Sequence, residues 1–273
     1  MRVTIGEALR RAGIEPREAR LLLAQAAGVP ESRIVAYPEQ PLEESARARF
    51  DDWTARRRRG EPVAYLTGWR EFYGLMLCVT PAVLIPRHES ELLVERALAV
   101  LPRAEPARVL DLGTGSGALA LAIKHARPAL EVVAVEASDA ALAVARGNAR
   151  RLGLEISWRP GAWFETLRGE RFDVILSNPP YVAQGDPHLA CGDLRFEPRA
   201  ALDGGSDGLE AIRAIVAQAP RHLVPGGWLF LEHGYEQAAV VRALLAAAGL
   251  AAVGTWRDLA EHERVSGACR EAA

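Results

Sequence analysis

Leu110-Asp111-Leu112-Gly113-Thr114-Gly115-Ser116-Gly117-Ala118 is the stretch whose reading decides the fold. The short apolar strand that begins at Arg108 runs into three glycines spaced G-x-G-x-G, and the chain then takes up a helical pattern from Ala118 to Ala126. Glycine lets the backbone adopt positive φ and approach a ligand closely, and the helix start behind it offers free N–H groups. The next apolar run, Glu131-Val132-Val133-Ala134-Val135-Glu136, is a second strand ending in a carboxylate. An acid at that carboxyl end is placed to accept hydrogen bonds from ribose hydroxyls. Together these features indicate an adenosine-containing cofactor. The glycine spacing is not the dinucleotide fingerprint G-x-G-x-x-G, and no Gly-Lys-Ser/Thr follows for a phosphate-binding P-loop. Asp111 would repel a pyrophosphate and suits a cationic amino group. An aminoacyl sulfonium, S-adenosylmethionine, meets all three conditions.

Strand and helix patterns continue to alternate beyond this turn. Strands are expected at 155–158, 172–177 and 228–232, and helices at 140–152, 209–219 and 237–248. Such alternation predicts a mostly parallel sheet covered on both faces. The stretches 250–256 and 264–269 lack a helical pattern between them and are expected to pair as antiparallel edge strands. The predicted fold is therefore α/β: a doubly wound, Rossmann-like sheet of about seven strands with an antiparallel edge. Upstream, residues 1–60 read as short helices, with Leu9, Ala12, Ala19, Leu22, Leu23 and Ala26 at helical spacing. A second helical stretch, 43–59, closes in Arg56-Arg57-Arg58-Arg59, which reads as a solvated helix end or as a contact for phosphate or an acidic partner. Glu71-Phe72-Tyr73-Gly74-Leu75 suggests a small hairpin, and the proline-bounded 81–91 is extended, leading into a helix over 89–101. The expected division is an N-terminal helical domain for substrate docking (1–70), a hairpin and linker (71–86) and the cofactor-binding domain (87–273).

A second stretch carries chemistry. Strand 172–177 stops at Asn178-Pro179-Pro180-Tyr181. Proline lacks an N–H and pushes the residue before it out of helical geometry, so the chain makes a stiff, extended corner. The corner offers an Asn amide and several carbonyls without a backbone donor from either proline, a receptor for an –NH2 group.

Composition excludes several classes. The 273 residues are 49% apolar and 25% charged with a net charge of -2, an ordinary globular balance without general attraction for nucleic acid. Lys124 is the only lysine. Cys78, Cys191 and Cys269 are far apart and odd in number, which suits free thiols in a reducing cytoplasm. The N-terminus lacks the apolar core of a secretory signal, and no apolar run is long enough to span a bilayer. His88, His125, His188, His222, His233 and His262 show no metal-ligand spacing, so no metal is expected.

With those residues in view, the chain resembles the class I methyltransferases and, within them, the PrmC (HemK) family of release factor glutamine methyltransferases. Pro62-Val63-Ala64-Tyr65-Leu66-Thr67-Gly68, Phe72-Tyr73-Gly74 and Leu84-Ile85-Pro86-Arg87 are similar to the family's interdomain segment. The 111–117 and 178–181 stretches, Glu197-Pro198-Arg199-Ala200-Ala201-Leu202 and Gly205-Ser206-Asp207-Gly208-Leu209 are similar to its catalytic blocks, and Asp258-Leu259-Ala260 with Arg264-Val265 to its C-terminal signature. Three positions depart. Glu136 stands where the family often has Asp, His88-Glu89-Ser90-Glu91 where it has Pro-Glu-Thr-Glu, and Phe196 where Tyr is common.

The resemblance implies methyl transfer from S-adenosylmethionine, without metal, to the side-chain amide of the glutamine of a Gly-Gly-Gln motif in class I peptide chain release factors. It implies a cytoplasmic enzyme, expected to be monomeric, without stable nucleic-acid or membrane binding. Carried over by position, Gly113, Thr114, Gly115, Ser116 and Gly117 wrap the methionine part of the cofactor, Glu136 holds the ribose and Trp163 lies against the adenine. Asn178 and the Pro179 carbonyl bind the target amide within the corner completed by Pro180, and Tyr181 packs on the amide's flat face. The alternative is methylation of an exocyclic amine of adenine or cytosine, because nucleic-acid enzymes use a similar corner.

Overall fold

The first helix begins where the sequence supplies a cap. In this computed structural model, which describes residues 3–102, 105–190 and 192–272, α1 (Ile5–Arg11) starts behind Thr4. The Thr4 hydroxyl accepts the Glu7 N–H and the Glu7 carboxylate accepts the Thr4 N–H, a reciprocal cap. α2 (Pro16–Ala27) begins on a proline, whose missing N–H costs nothing at that position, and stops at the left-handed Gly28. α3 (Glu31–Ala36), α4 (Glu44–Arg58) and α5 (Val63–Thr67) follow. Leu22, Leu23, Ile34, Phe50 and Leu66 make the core of this helical unit, which spans residues to Trp69 and also gathers the later 3-10 turn Gly192–Phe196.

Most of the arginine run at the end of α4 is engaged within the helical unit, while Arg58 and Arg59 remain exposed. Arg56 pairs with Glu61 at 2.5 Å. Arg57 pairs with Glu18 at 2.7 Å and with Asp193 at 2.8 Å. Arg58 donates to the Ala12 and Arg11 carbonyls, each at 2.8 Å. Helix position alone could not show this, because the acceptors of Arg57 and Arg58 are distant in sequence.

The second unit begins at Arg70, within the first strand of a two-stranded hairpin, β1 (Trp69–Phe72) and β2 (Leu75–Cys78). Its turn residues Tyr73 and Gly74 both have positive φ, 50° and 76°, as a tight hairpin turn demands. Then come α6 (Glu91–Val100), β3 (Arg108–Leu112), α7 (Ala118–Ala126), β4 (Glu131–Glu136), α8 (Asp139–Leu152), β5 (Ser157–Pro160) and β6 (Phe172–Ser177). The chain ends with α9 (Glu210–His222), β7 (Leu223–Glu232), α10 (Ala238–Ala247), β8 (Ala251–Arg257) and β9 (Glu263–Cys269). The seven-stranded sheet has the order β5-β4-β3-β6-β7-β9-β8, parallel except where β9 pairs antiparallel with β7 and β8. The expected α/β sheet with an antiparallel edge is thus observed.

Alternate residues of each strand feed opposite cores. Val109, Val132 and Val174 pack with Leu93, Val94 and Leu121, whereas Leu110, Val133 and Ile175 pack with Ile212, Ile215 and Val241. Some boundaries differ from expectation. β5 covers Ser157–Pro160, shifted from 155–158. β7 begins at Leu223 because Leu223 already pairs with Phe172, with a register irregularity absorbing Pro225 and the glycines. Cys78 and Cys269 are free thiols; Cys191 lies outside the described residues. Among the described residues no helix is long and apolar enough to cross a membrane.

Strand order reverses between β3 and β6, and a crevice opens there at the carboxyl ends of the strands. One buried side chain holds the crevice wall together. Asn148 of α8 accepts the Cys78 N–H at 2.7 Å and donates to the carbonyls of Cys78 and Ser116, each at 3.0 Å. Asn148→Ala removes the partner of one buried and two half-buried backbone groups and is expected to lower stability by about 1–3 kcal/mol. Urea unfolding of the purified variant measures that loss, and a loss under about 0.5 kcal/mol would contradict the role.

Candidate active site

The glycine turn after β3 is fixed by hydrogen bonds before any ligand is considered. The N–H groups of Gly113 and Thr114 both donate to the Val135 carbonyl of β4, at 2.9 and 3.0 Å. Beneath the turn, Asp111 accepts the Thr114 hydroxyl at 2.5 Å and the Ala120 N–H at 3.2 Å. Its other oxygen, Oδ1, is buried without a partner among the described residues. Burial pushes the Asp111 carboxyl up to about 7 from its ordinary 3.8, against the pull of the Thr114 and Ala120 hydrogen bonds. Asp111 is not on the cavity wall. Through the Thr114 and Ala120 hydrogen bonds it staples the turn to α7.

Above the turn lies a cavity of about 320 Å³. Gly113, Thr114, Gly115 and Ser116 form one wall, and Glu136 and Ser138 after β4 another. Trp163, in the turn after β5, and Asn178 and Pro180, after β6, close it further. Trp163 has φ 48°, a left-handed conformation rare for a bulky residue, and its ring would lie 3.5 Å from a Cβ at Gly113. Nothing of the protein would lie within 4 Å of a Cβ at Gly115. The Glu136 carboxylate accepts the Gly115 N–H at 2.8 Å and the Ser138 N–H at 2.9 Å. Each carboxylate oxygen has a further lone pair, so capacity for two more donors remains.

Eight of the eleven sequence-predicted site residues line this cavity: Gly113, Thr114, Gly115, Ser116, Glu136, Trp163, Asn178 and Pro180. Gly117, Pro179 and Tyr181 do not. Gly117 caps α7 with φ 86°, and a Cβ there would meet Leu121 at 3.1 Å and Ala145 at 3.3 Å, so its absence of side chain serves packing. Pro179 is buried. The Tyr181 hydroxyl donates to Glu232 at 3.2 Å, and its carbonyl accepts Gln237 Nε2 at 3.0 Å. Burial, with Glu232 beside it, pushes the Tyr181 hydroxyl pKa upward. Close backbone packing holds the corner too: a Cβ on Gly204 would come within 2.7 Å of the Pro180 carbonyl.

Sequence reading missed the opposite wall. Phe72, Val83, Leu84, Pro86, Arg87 and Ser90 line the cavity, from the hairpin and the extended segment after it. Arg87 pairs with the buried Glu197, whose other oxygen accepts the Ile85 N–H at 3.1 Å. Ser90 hydrogen-bonds to Asn178 and to Glu232, the last residue of β7. The position of Glu232 at the same strand edge as Glu136 was the available signal. Among the described residues, Glu71, His88 and Glu91 form a cluster of potential metal ligands that histidine spacing did not reveal. Its carboxylates already close the hairpin, accepting the N–H groups of Gly74 at 2.6 Å and Tyr73 at 3.1 Å.

Residues 4–68 match the PrmC N-terminal domain, and residues 89–196 the methyltransferase small domain. The chain is 52% identical to the release factor glutamine methyltransferase of Burkholderia pseudomallei over 97% of this chain and 95% of that one. Its identity to the Pseudomonas aeruginosa protein of that name is 54%, over 91% and 90% of the two chains. Among solved structures, a Pyrococcus furiosus methyltransferase superposes with a TM-score of 0.57 at 19% identity, over 81% of this chain and 98% of that one. The Thermus thermophilus 16S rRNA N2 G1207 methyltransferase, solved with AdoMet and guanosine, gives 0.54 at 25% identity, over 74% and 50%.

The raised Asp111 carboxyl has a consequence for stability. It holds its proton more tightly when folded, so its contribution is full below its unfolded value of 3.8 and is lost as pH rises toward about 7. The melting temperature of the wild type relative to Asp111→Asn is therefore expected to fall between about pH 5 and about pH 8. Parallel melting curves for the two proteins across that range would contradict it.

Proposed function

The chain belongs to the release factor glutamine methyltransferase family, and from that premise we propose that its cavity transfers a methyl group from S-adenosylmethionine to a release-factor glutamine. The acceptor is the side-chain amide nitrogen of the Gly-Gly-Gln glutamine. The observation that carries this reading is the meeting of two features at one crevice: an adenosyl-type wall and an amide-receptor corner. The first comprises the open glycine turn, the Glu136 carboxylate and Trp163; the second is Asn178 with Pro180. The open space over Gly115 and the free Glu136 lone pairs fit the cofactor. In this reading the turn from Gly113 to Gly117 holds its methionine part, Glu136 its ribose and Trp163 its adenine. The helical N-terminal unit is assigned to docking the protein substrate.

An amide nitrogen is a poor nucleophile because its lone pair is delocalised into the carbonyl. When bound, S-adenosylmethionine supplies an already activated methyl carbon and leaves as the thioether. The methylated nitrogen, now strongly acidic, gives one N–H proton to water, so the chain need not provide a strong base. What the residues contribute is alignment. Asn178 Oδ1 accepts one amide hydrogen and fixes the nitrogen's direction. The Pro179 carbonyl and Tyr181, which do not line the cavity, are proposed for the other hydrogen and for the amide's flat face. Each such hydrogen bond adds about 0.5–1.5 kcal/mol net. Holding reactants in attack geometry is worth roughly 7–11 kcal/mol. Positioning therefore outweighs the hydrogen bonds that achieve it.

Two measurements test the reading. Methyl-tritiated cofactor is offered with a release factor, its Gln→Glu variant at the target position, or DNA. Label is expected on the first alone, and labelled DNA or an equally labelled Glu variant would sink the proposal. Asn178→Asp, nearly isosteric, is expected to lose most of the turnover, and near-normal turnover would remove Asn178 from catalysis.

A further inference from the structure

A receptor built on an asparagine has an orientation problem. The carboxamide of Asn178 is nearly symmetric in shape, but only one of its ends accepts a hydrogen bond. Turned over, it would point an NH2 at the amide it should receive.

We propose that Ser90 and Glu232 form a positioning relay that locks Asn178 with its carbonyl oxygen toward the acceptor amide. The proposal rests on the function proposed above and deepens it. Asn178 Nδ2 donates to Ser90 Oγ at 2.9 Å, and Ser90 Oγ donates its single proton to Glu232 Oε2 at 2.6 Å. The ionised carboxylate can only accept, so the serine proton is committed to it. Ser90 oxygen is then left as an acceptor toward Asn178, which must present NH2 to Ser90 and Oδ1 elsewhere. The other oxygen of Glu232 accepts the Tyr181 hydroxyl at 3.2 Å, so one buried carboxylate fixes the polarity of both ends of the Asn178–Tyr181 corner.

Ser90 and Glu232 are 4% and 1% exposed, so bulk water does not substitute for either link. Around Glu232 stand Ser90 and Glu89 from the 3-10 turn before α6, Tyr181 from the corner and Arg264 from β9, itself paired with Asp258. Burial pushes the Glu232 carboxyl up to about 7, while Ser90, Arg264 and Tyr181 pull it back. Once protonated, Glu232 could donate to Ser90, and the direction of the relay would no longer be fixed. Charge on Glu232 is thus the condition for a single orientation of Asn178.

The test compares Ser90→Ala, Ser90→Thr and Glu232→Gln in the full-length protein, assayed with release factor alongside the wild type. Ser90→Ala is expected to lower kcat about tenfold or more with cofactor KM nearly unchanged, and Ser90→Thr, which keeps the hydroxyl, to recover most of that loss. Wild-type kcat is expected to fall as pH drops below about 7, and Glu232→Gln to give a lower rate without that limb. Failure of the wild type to methylate glutamine defeats the function proposed above. An active wild type with both Ser90→Ala and Glu232→Gln within twofold of it overturns the relay alone. A separate arm needs no acceptor: the Asn178 side-chain NH2 resonances should shift across that pH range in the wild type and not in Glu232→Gln. Resonances equally insensitive in both proteins overturn the relay whatever the fate of the glutamine reading.

Discussion

The parallel register that sets Leu112 beside Ser177 is the constraint on which the second unit depends. Each of those residues ends its strand, one running into the glycine turn and the other into the proline corner. The Ser177 hydroxyl donates to the Leu112 carbonyl at 2.6 Å, tying the two exits together below the cavity floor. A shift of one residue would turn the inward face of either strand outward. It would also separate the turn from the corner by a strand step of about 3.3 Å, more than a methyl-transfer geometry tolerates. The apolar alternation that fills both cores is therefore the same pattern that brings the two halves of the site together.

Around that edge the fold buries polar groups it could have avoided. Asp111, Ser177, Asn148 and Glu232 are all fully or almost fully out of water. An unpaired buried polar group destabilises, and a buried carboxylate does so more. Here nearly every one is paired to something the site needs held: the glycine turn, the strand exit, the hairpin wall or Asn178. Both buried carboxyls are pushed up to about 7, the sign of desolvation outrunning partial compensation. Stability is given up for directional bonds, which apolar packing cannot supply. A hydrophobic replacement would fill the same volume and leave the turn and the corner free to rotate.

How much of this was legible in sequence divides along locality. The glycine turn, the carboxylate of Glu136 and the Asn-Pro-Pro-Tyr corner are written in adjacent residues, so backbone rules and side-chain chemistry sufficed. Strand 131–136 and helix 118–126 follow from unbroken patterns and were found where expected. The start of β7 was missed because Pro225 and two glycines look like a break, while pairing of Leu223 with Phe172 carries the strand through them. Asp111 was read as suited to a cationic amino group, and adjacent residues did not show that one of its oxygens also holds the turn to α7. The far wall escaped altogether. Ser90 and Glu232 are 142 positions apart in the chain, and only the folded sheet edge brings them together.

The arginine run shows why charge must be read with its partners. In sequence, Arg56 to Arg59 is the chain's single strongly basic stretch and the one feature favouring a phosphate backbone as partner. Binding to nucleic acid draws its strength from cations free to replace condensed counterions. Arg56, Arg57 and Arg58 have already spent theirs on Glu61, Glu18, Asp193 and two backbone carbonyls within the helical unit. Recruiting them to phosphate would strand those carboxylates, two of them partly shielded from water. With a net charge of -2 overall, little is left to hold a duplex while a base is turned out of its stack. The amide corner alone is compatible with a nucleobase or a glutamine as acceptor, and it is the electrostatics away from the corner that favour the protein.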